Sequence, residues 1–138
     1  MKEPIWVDAA DVHAFHLEML AMFGGLAGVR DEGLLLSALS RPQHLFAYEK
    51  TELFDLAAAY ALGIVKNHPF LDGNKRAGFM AAALFLEVNG YRFEAPEEEV
   101  VLQTLALAAG EIDQAEYADW LKASCKKQWA KTADAAEA

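Results

Sequence analysis

Apolar residues recur at three- and four-residue spacing along most of this chain, which predicts helices joined by short breaks. The first predicted helix is capped by Asp8 and covers residues 8–23, because aspartate favours helix N-termini. The second is capped by Asp31 and ends at Arg41-Pro42, since proline does not continue a helix. The third covers residues 52–66.

The fourth predicted helix, from about Gly73 to Val88, is apolar on nearly every side between Ala77 and Leu86. A helix without a polar face has to be buried all round, so we expect it at the centre of the fold. A fifth helix is predicted for residues 96–109 and a sixth from Asp113 to about Trp129. The predicted fold class is therefore all-α, a compact bundle of about six helices around a buried central helix.

Residues 41–51 are the ambiguous part of the pattern, because aromatic and imidazole side chains alternate there with other residue types. We interpret this segment as a short β-hairpin-like flap. Residues 91–93 are expected to be a short extended connection. One domain is predicted over residues 1–130, followed by a disordered tail at residues 131–138, which are rich in alanine and acidic residues.

Composition narrows the functional classes. The chain has 138 residues, of which 54% are hydrophobic, enough for one domain with a sizeable core. A net charge of −9 argues against direct nucleic-acid binding, which needs cationic surfaces. The sequence offers no membrane span, no signal-like apolar segment at Met1 and a single cysteine, Cys125, so we expect a cytoplasmic protein without a disulfide.

The stretch His68-Pro-Phe-Leu-Asp-Gly-Asn-Lys-Arg76 carries the candidate chemistry. Lys75 and Arg76 fall in the first turn of the predicted central helix, where the dipole and the free N–H groups favour anions. Two cations are costly at that position unless an anion is normally bound. The sequence therefore predicts a polyphosphate site at the start of this helix.

Four residues suit contact with phosphate. Gly73 permits close approach of the backbone to a ligand. Asn74 offers hydrogen bonds to phosphate oxygens or caps the turn, and Lys75 and Arg76 neutralise the charge of transferring phosphates.

Two further residues suit the chemistry of transfer. Asp72 is the expected Mg²⁺ ligand, since Mg²⁺ is commonly held by one or two carboxylates plus phosphates. His68 has the unperturbed pKa that suits proton removal from a hydroxyl. The combination describes transfer of part of a nucleotide to an alcohol. Alternatively, Asp72 is simply the N-cap of the fourth helix. His13 and His16 are spaced like metal ligands, but no third ligand is apparent, so we interpret them as surface or packing residues.

The nine residues 68–76 resemble the motif of the Fic/Doc superfamily, and Lys75 matches its death-on-curing (Doc) branch. The resemblance continues through residues 24–31, 34–42 and 85–91, and covers about residues 5–125. It implies a compact α-helical toxin of a type II toxin–antitoxin pair, with a cognate antitoxin as partner.

The resemblance also implies a mechanism. The toxin would use ATP and Mg²⁺ to phosphorylate a threonine of translation elongation factor Tu and so inhibit protein synthesis. His68 would be the general base, Asp72 the Mg²⁺ ligand, and residues 74–76 the phosphate contacts. The flap at residues 41–51 would receive a target peptide by strand addition.

Two alternatives stay open at this point. A Fic-type adenylyltransferase would transfer AMP to a protein hydroxyl, and Gly73 is the more Fic-like residue at a position where the founding Doc type has alanine. An inactive binding module would only sequester a partner. A Ser/Thr-x-x-x-Glu inhibitory pattern is absent from the sequence, so restraint is expected from a separate antitoxin.

Overall fold

The computed structural model describes residues 2–49 and 51–128, in which six helices and two short strands are found. The elements are α1 Ala9–Phe23, α2 Glu32–Tyr48, α3 Leu53–Asn67, α4 Asn74–Val88, β1 Tyr91–Phe93, α5 Glu97–Ala109, α6 Gln114–Ala123 and β2 Cys125–Lys127. The predicted all-α fold is confirmed. The predicted tail, residues 131–138, lies outside the described residues. No helix in the described ranges combines the length and the apolarity needed to cross a bilayer.

Local sequence explains where three helices begin. The carboxylates of Asp8, Asp31 and Asp113 each accept a hydrogen bond from the backbone N–H three residues later, at the starts of α1, α2 and α6. Such caps satisfy one of the amide groups that a helix N-terminus leaves without an intrahelical partner. The predictions for Asp8, Asp31 and Asp113 are therefore confirmed.

The buried centre is shared by α3 and α4, which contribute ten and seven buried residues. Small residues let the helices approach closely. A Cβ added at Gly78 of α4 would lie 3.0 Å from the Ala61 carbonyl oxygen of α3, and one at Gly63 of α3 would lie 3.1 Å from the Ala38 carbonyl oxygen of α2. This close packing fixes the two helix ends that bracket residues 68–73.

The predicted flap at residues 41–51 is wrong as far as the structure describes that segment, because α2 continues to Tyr48 with Pro42 in its interior. Pro42 is buried, and Leu45 and Phe46 pack against the core. With Leu39 they form one stripe at three- and four-residue spacing, whose burial against α3 outweighs the backbone hydrogen bond that proline forfeits. Residues 41–48 therefore offer no strand edge to a target peptide.

The sixth helix also ends earlier than predicted, at Ala123 rather than near Trp129. Residues 125–127 form β2, which pairs antiparallel with β1 in the register Tyr91↔Lys127 and Phe93↔Cys125. The extended conformation predicted for residues 91–93 is confirmed, and β2 is the partner that the sequence analysis missed. This small sheet packs along α4, where the ring of Phe93 lies 5.1 Å from that of Phe79.

Candidate functional site

Residues 68–73, the motif loop, reverse the chain between α3 and α4. His68 ends α3 in the left-handed conformation, with φ 55° and ψ 53°, and is the one described non-glycine residue with positive φ. Gly73, with φ 78°, precedes the first residue of α4. A left-handed residue with a side chain costs about 1–2 kcal/mol, so the surroundings have to hold His68 in place.

The preceding segment of the chain holds the motif loop by backbone hydrogen bonds. The N–H groups of Arg30 and Asp31 both donate to the Pro69 carbonyl, at 2.7 and 3.0 Å, and the Leu71 N–H donates to the Gly28 carbonyl at 3.0 Å. These backbone hydrogen bonds alone hold one side of the loop.

Asn74, the first residue of α4, holds the loop through the hydrogen bonds of its buried side-chain amide. Its side chain is 3% exposed. Its Oδ1 accepts from the Phe70 N–H at 2.9 Å, and its Nδ2 donates to the Phe70 carbonyl at 3.0 Å and lies 3.0 Å from His68 Nδ1. In this arrangement the amide of Asn74 organises the loop rather than pointing a free donor at a ligand.

The Asn74 contacts also assign the proton of His68. Because Phe70 fixes the orientation of the amide, Asn74 presents N–H to the ring, so Nδ1 accepts and the neutral imidazole carries its proton on Nε2. The ring is exposed to solvent. His68 is thus held at both its backbone and its ring.

The carboxylate of Asp72 faces solvent and is held by backbone amides. Its Oδ2 accepts from the Leu26 N–H at 3.1 Å and its Oδ1 from the Gly73 N–H at 2.9 Å. These two hydrogen bonds, that of Leu26 first, lower the Asp72 pKa below its ordinary value. A charged oxygen ligand is therefore fixed at the loop. Asp72 does not cap α4, whose N-cap is Gly73 without a side-chain hydrogen bond.

The first turn of α4 therefore keeps its backbone N–H groups free of any side-chain cap. Lys75 is exposed and makes no hydrogen bond or ion pair in the described part of the chain. Arg76 donates from Nη2 to Glu97 Oε2 at 2.9 Å, and its Cζ lies 4.2 Å from the centre of the Phe23 ring. Free amides and two cations converge here. Because the sequence predicts phosphate at this place, we call this set the phosphate site.

Two cavities adjoin the phosphate site. One, of about 260 Å³, is lined by His68, Leu71, Asp72, Gly73, Asn74, Lys75 and Arg76. The other, of about 160 Å³, lies between α4 and α5 and is mainly apolar; it is lined by Phe79, Val100, Val101, Thr104 and Leu105 together with the same two cations. The polar cavity therefore brings together every residue of the predicted site.

The donor set fits Mg²⁺ held in part by a nucleotide. Among residues 2–49 and 51–128 no group of three His, Cys, Asp or Glu side chains is arranged to bind a metal ion. Asp72 alone supplies a carboxylate at the cavity. One protein carboxylate completed by phosphates and water is a common environment for Mg²⁺.

Residues remote in sequence also contact the loop or its neighbouring cation, and these contacts were not predicted. His16 is 3% exposed, stacks on Phe70 at 3.8 Å between ring centres, and donates from Nε2 to the Asp72 carbonyl at 2.9 Å. Arg30 and Glu97 reach the site from other elements. No spacing rule signals these contacts, because the partners are 21 to 56 residues apart.

Comparisons with known proteins identify a family and similar sequences. The family model described as Fic/DOC family matches residues 6–86, which include the whole motif. "Protein kinase doc" of Escherichia phage P1 is 35% identical over 118 residues, 84% of this chain and 92% of that protein. "Toxin Doc" of Mycolicibacterium smegmatis is 44% identical over 77 residues, 53% of this chain and 58% of that protein.

Proposed function

We propose, since the chain belongs to the Fic/Doc family, that it is the toxin of a type II toxin–antitoxin pair and a protein kinase. It transfers the γ-phosphoryl group of ATP to a threonine hydroxyl of a translation protein, with elongation factor Tu as the target implied by family resemblance. The observation that carries this proposal is the uncapped start of α4, where Lys75 and Arg76 adjoin His68 and Asp72 around one cavity. The name of the phage relative, a protein kinase, supports the same reaction.

The phosphates of ATP bind at the phosphate site. The free N–H groups of the first turn of α4 and the positive end of its dipole attract the anion. Lys75, which has no partner in the described part of the chain, contributes a point charge, and Arg76 exchanges Glu97 for phosphate oxygens. This arrangement also explains why two cations occupy a helix N-terminus.

Asp72 holds Mg²⁺ together with the nucleotide. Its lowered pKa keeps the carboxylate charged throughout the neutral range. When bound, the ion neutralises charge on the transferring phosphates. The hydrogen bonds from Leu26 and Gly73 fix the carboxylate before the ligand arrives.

The target hydroxyl oxygen attacks the γ-phosphorus, the bond from that phosphorus to the β–γ bridging oxygen breaks, and ADP leaves. His68 accepts the hydroxyl proton. In the resting loop the lone pair on Nδ1 is occupied by the Asn74 N–H. Proton transfer therefore requires that this contact open, so that the ring presents an unprotonated nitrogen to the hydroxyl.

Adenylyl transfer is the alternative reaction, and Gly73 no longer favours it. Glycine at this position has a structural reason of its own: φ is 78°, and an added Cβ would lie 2.5 Å from Met19 Cε and 3.5 Å from His16 Nε2. The Doc-like Lys75 lines both cavities. These features support phosphoryl transfer over AMP transfer.

A cognate antitoxin is the partner that restrains this activity. Within the described residues, Glu97 is the one carboxylate that forms an ion pair with a cation of the phosphate site, Arg76, and its side chain is 61% exposed. An exposed pair of this kind is worth about 1 kcal/mol or less, so it restrains phosphate binding only weakly. Strong inhibition is therefore assigned to a separate chain.

The test incubates the protein with elongation factor Tu, Mg²⁺ and ATP carrying label at either the α- or the γ-phosphate. We expect label on the factor from γ-labelled ATP only, a mass gain of one phosphate, and loss of transfer in His68→Ala. Arg92→Gln is the control and keeps the activity, because the exposed Arg92 side chain pairs with Glu94 and lines neither cavity. Label from α-labelled ATP would replace the kinase by an adenylyltransferase, and growth arrest undiminished in His68→Ala would indicate a binding module.

A further inference from the structure

We propose that Arg30 is a positioning residue for the transfer reaction, acting on His68 through the last two carbonyl groups at the end of α3. This inference rests on the proposed function, in which His68 accepts the hydroxyl proton. The guanidinium donates from Nε to the His68 carbonyl at 2.7 Å and from Nη2 to the Asn67 carbonyl at 2.8 Å. Both hydrogen bonds are short and come from a charged donor, which makes them stronger than neutral ones.

His68 needs such support because its backbone conformation is unfavourable. A non-glycine residue with φ 55° and ψ 53° stays in place only when its neighbours fix it. The carbonyls at a helix C-terminus lack intrahelical partners, and a cation there also interacts favourably with the dipole. Arg30 supplies two donors and a positive charge at this helix end.

The Arg30 contact is independent of the contacts that hold the rest of the loop. The backbone N–H of Arg30 binds Pro69 and stays present in any variant, and Asn74 holds the ring of His68. Among the described residues, the Arg30 side chain is the one group outside α3 that binds the carbonyls on either side of the His68 Cα. Its removal should therefore let the imidazole shift while the loop stays attached.

Arg30 lies apart from the residues that bind the nucleotide in the proposed function. It does not line either cavity at the phosphate site. Losing its side chain should leave binding of ATP intact and impair the step that depends on the position of His68. Displacements of about 1 Å can cost on the order of 100-fold in rate, which sets the scale of the effect.

The experiment compares Arg30→Gln and Arg30→Lys with Arg92→Gln, in which the lost arginine is exposed, pairs with Glu94 and lines neither cavity. All are assayed below their unfolding temperatures, with ATP, Mg²⁺ and elongation factor Tu. We expect kcat to fall about 10- to 100-fold in Arg30→Gln, with the KM for ATP within about twofold of wild type. Arg30→Lys keeps the charge but lacks the fixed two-donor geometry, so it should recover only part of kcat. The control should match wild type.

A second measurement does not depend on activity. The ¹⁵N chemical shifts of the His68 ring, recorded on the full chain, should change in both Arg30 variants and stay unchanged in Arg92→Gln. Unchanged kcat and unchanged ring shifts in Arg30→Lys and Arg30→Gln would overturn the proposal, as would a rise in the KM for ATP at constant kcat. If wild type transfers nothing to the factor while the ring shifts respond as expected, the proposed function fails and the support of His68 by Arg30 stands.

Discussion

Replacement of Asn74 by alanine tests whether the site is preformed by its own loop. The change removes three hydrogen bonds, two of them to the backbone N–H and carbonyl of Phe70. Phe70 is fully buried, so no water replaces the lost partners without a rearrangement of the loop.

The magnitude follows from the two backbone groups left unpaired. Each of the two buried unsatisfied groups costs about 1–3 kcal/mol, so we expect a loss of about 2–6 kcal/mol in the free energy of unfolding. With a urea dependence of about 2 kcal/mol/M, in the middle of the usual range, this loss lowers the unfolding midpoint by about 1–3 M. Urea unfolding followed by far-UV circular dichroism measures it.

Asn89→Ala is the matched control at the other end of α4. The Asn89 side chain also makes three hydrogen bonds, to the Ile5 N–H and carbonyl and to the Phe85 carbonyl. Ile5 is 61% exposed, so water can take over its two bonds and only the carbonyl of buried Phe85 loses its partner. The expected loss is about 1–3 kcal/mol, half of that for Asn74→Ala.

The two variants should also differ in ligand binding under conditions in which both are folded. Asn74→Ala should lose most of its affinity for ATP in the presence of Mg²⁺, because the loop that carries His68 and Asp72 is no longer held. Asn89→Ala should bind as wild type does. If Asn74→Ala unfolded at the wild-type urea concentration and bound ATP normally, the claim that this amide organises the site would be refuted.

The remaining predictions concern the charges around the site. Glu97→Gln should lower the Kd for ATP, measured by calorimetry, by up to about fivefold, because Arg76 no longer has to exchange an exposed ion pair worth about 1 kcal/mol or less; an unchanged or higher Kd would show that Glu97 does not compete with phosphate. Asp72 has a folded-state pKa below its ordinary 3.8, so its stabilising contribution is present above that pH and is lost as pH falls through the folded pKa. The difference in free energy of unfolding between wild type and Asp72→Asn should accordingly be constant at neutral pH and shrink below about pH 4, and a difference that grew on acidification would contradict the assignment.

Much of the fold could be predicted because the signals are local. Aspartate caps at Asp8, Asp31 and Asp113 mark helix starts through a side chain and an amide three residues away. The position of the two cations was predictable for the same reason: Lys75 and Arg76 follow the loop directly, so their place in the first turn of α4 depends on the position of one helix boundary.

What the sequence did not reveal depends on tertiary packing. Pro42 is a sound local signal for the end of a helix, yet α2 continues because Leu39, Leu45 and Phe46 gain burial on the same face. His16 and Arg30 reach the motif loop across 56 and 38 residues, distances at which no periodicity applies. The left-handed backbone of His68 was equally hidden, since the residue type does not call for it.

Titration of the ¹⁵N-labelled protein with ATP and Mg²⁺ tests the central claim most directly, because it reports on the backbone amides at the start of α4. We expect the largest shifts at Asn74, Lys75 and Arg76, with loss of binding in Lys75→Ala and unchanged binding in Arg92→Gln. Absence of saturable shifts at these amides, or shifts confined to another part of the molecule, would contradict the assignment of this helix start as the phosphate site.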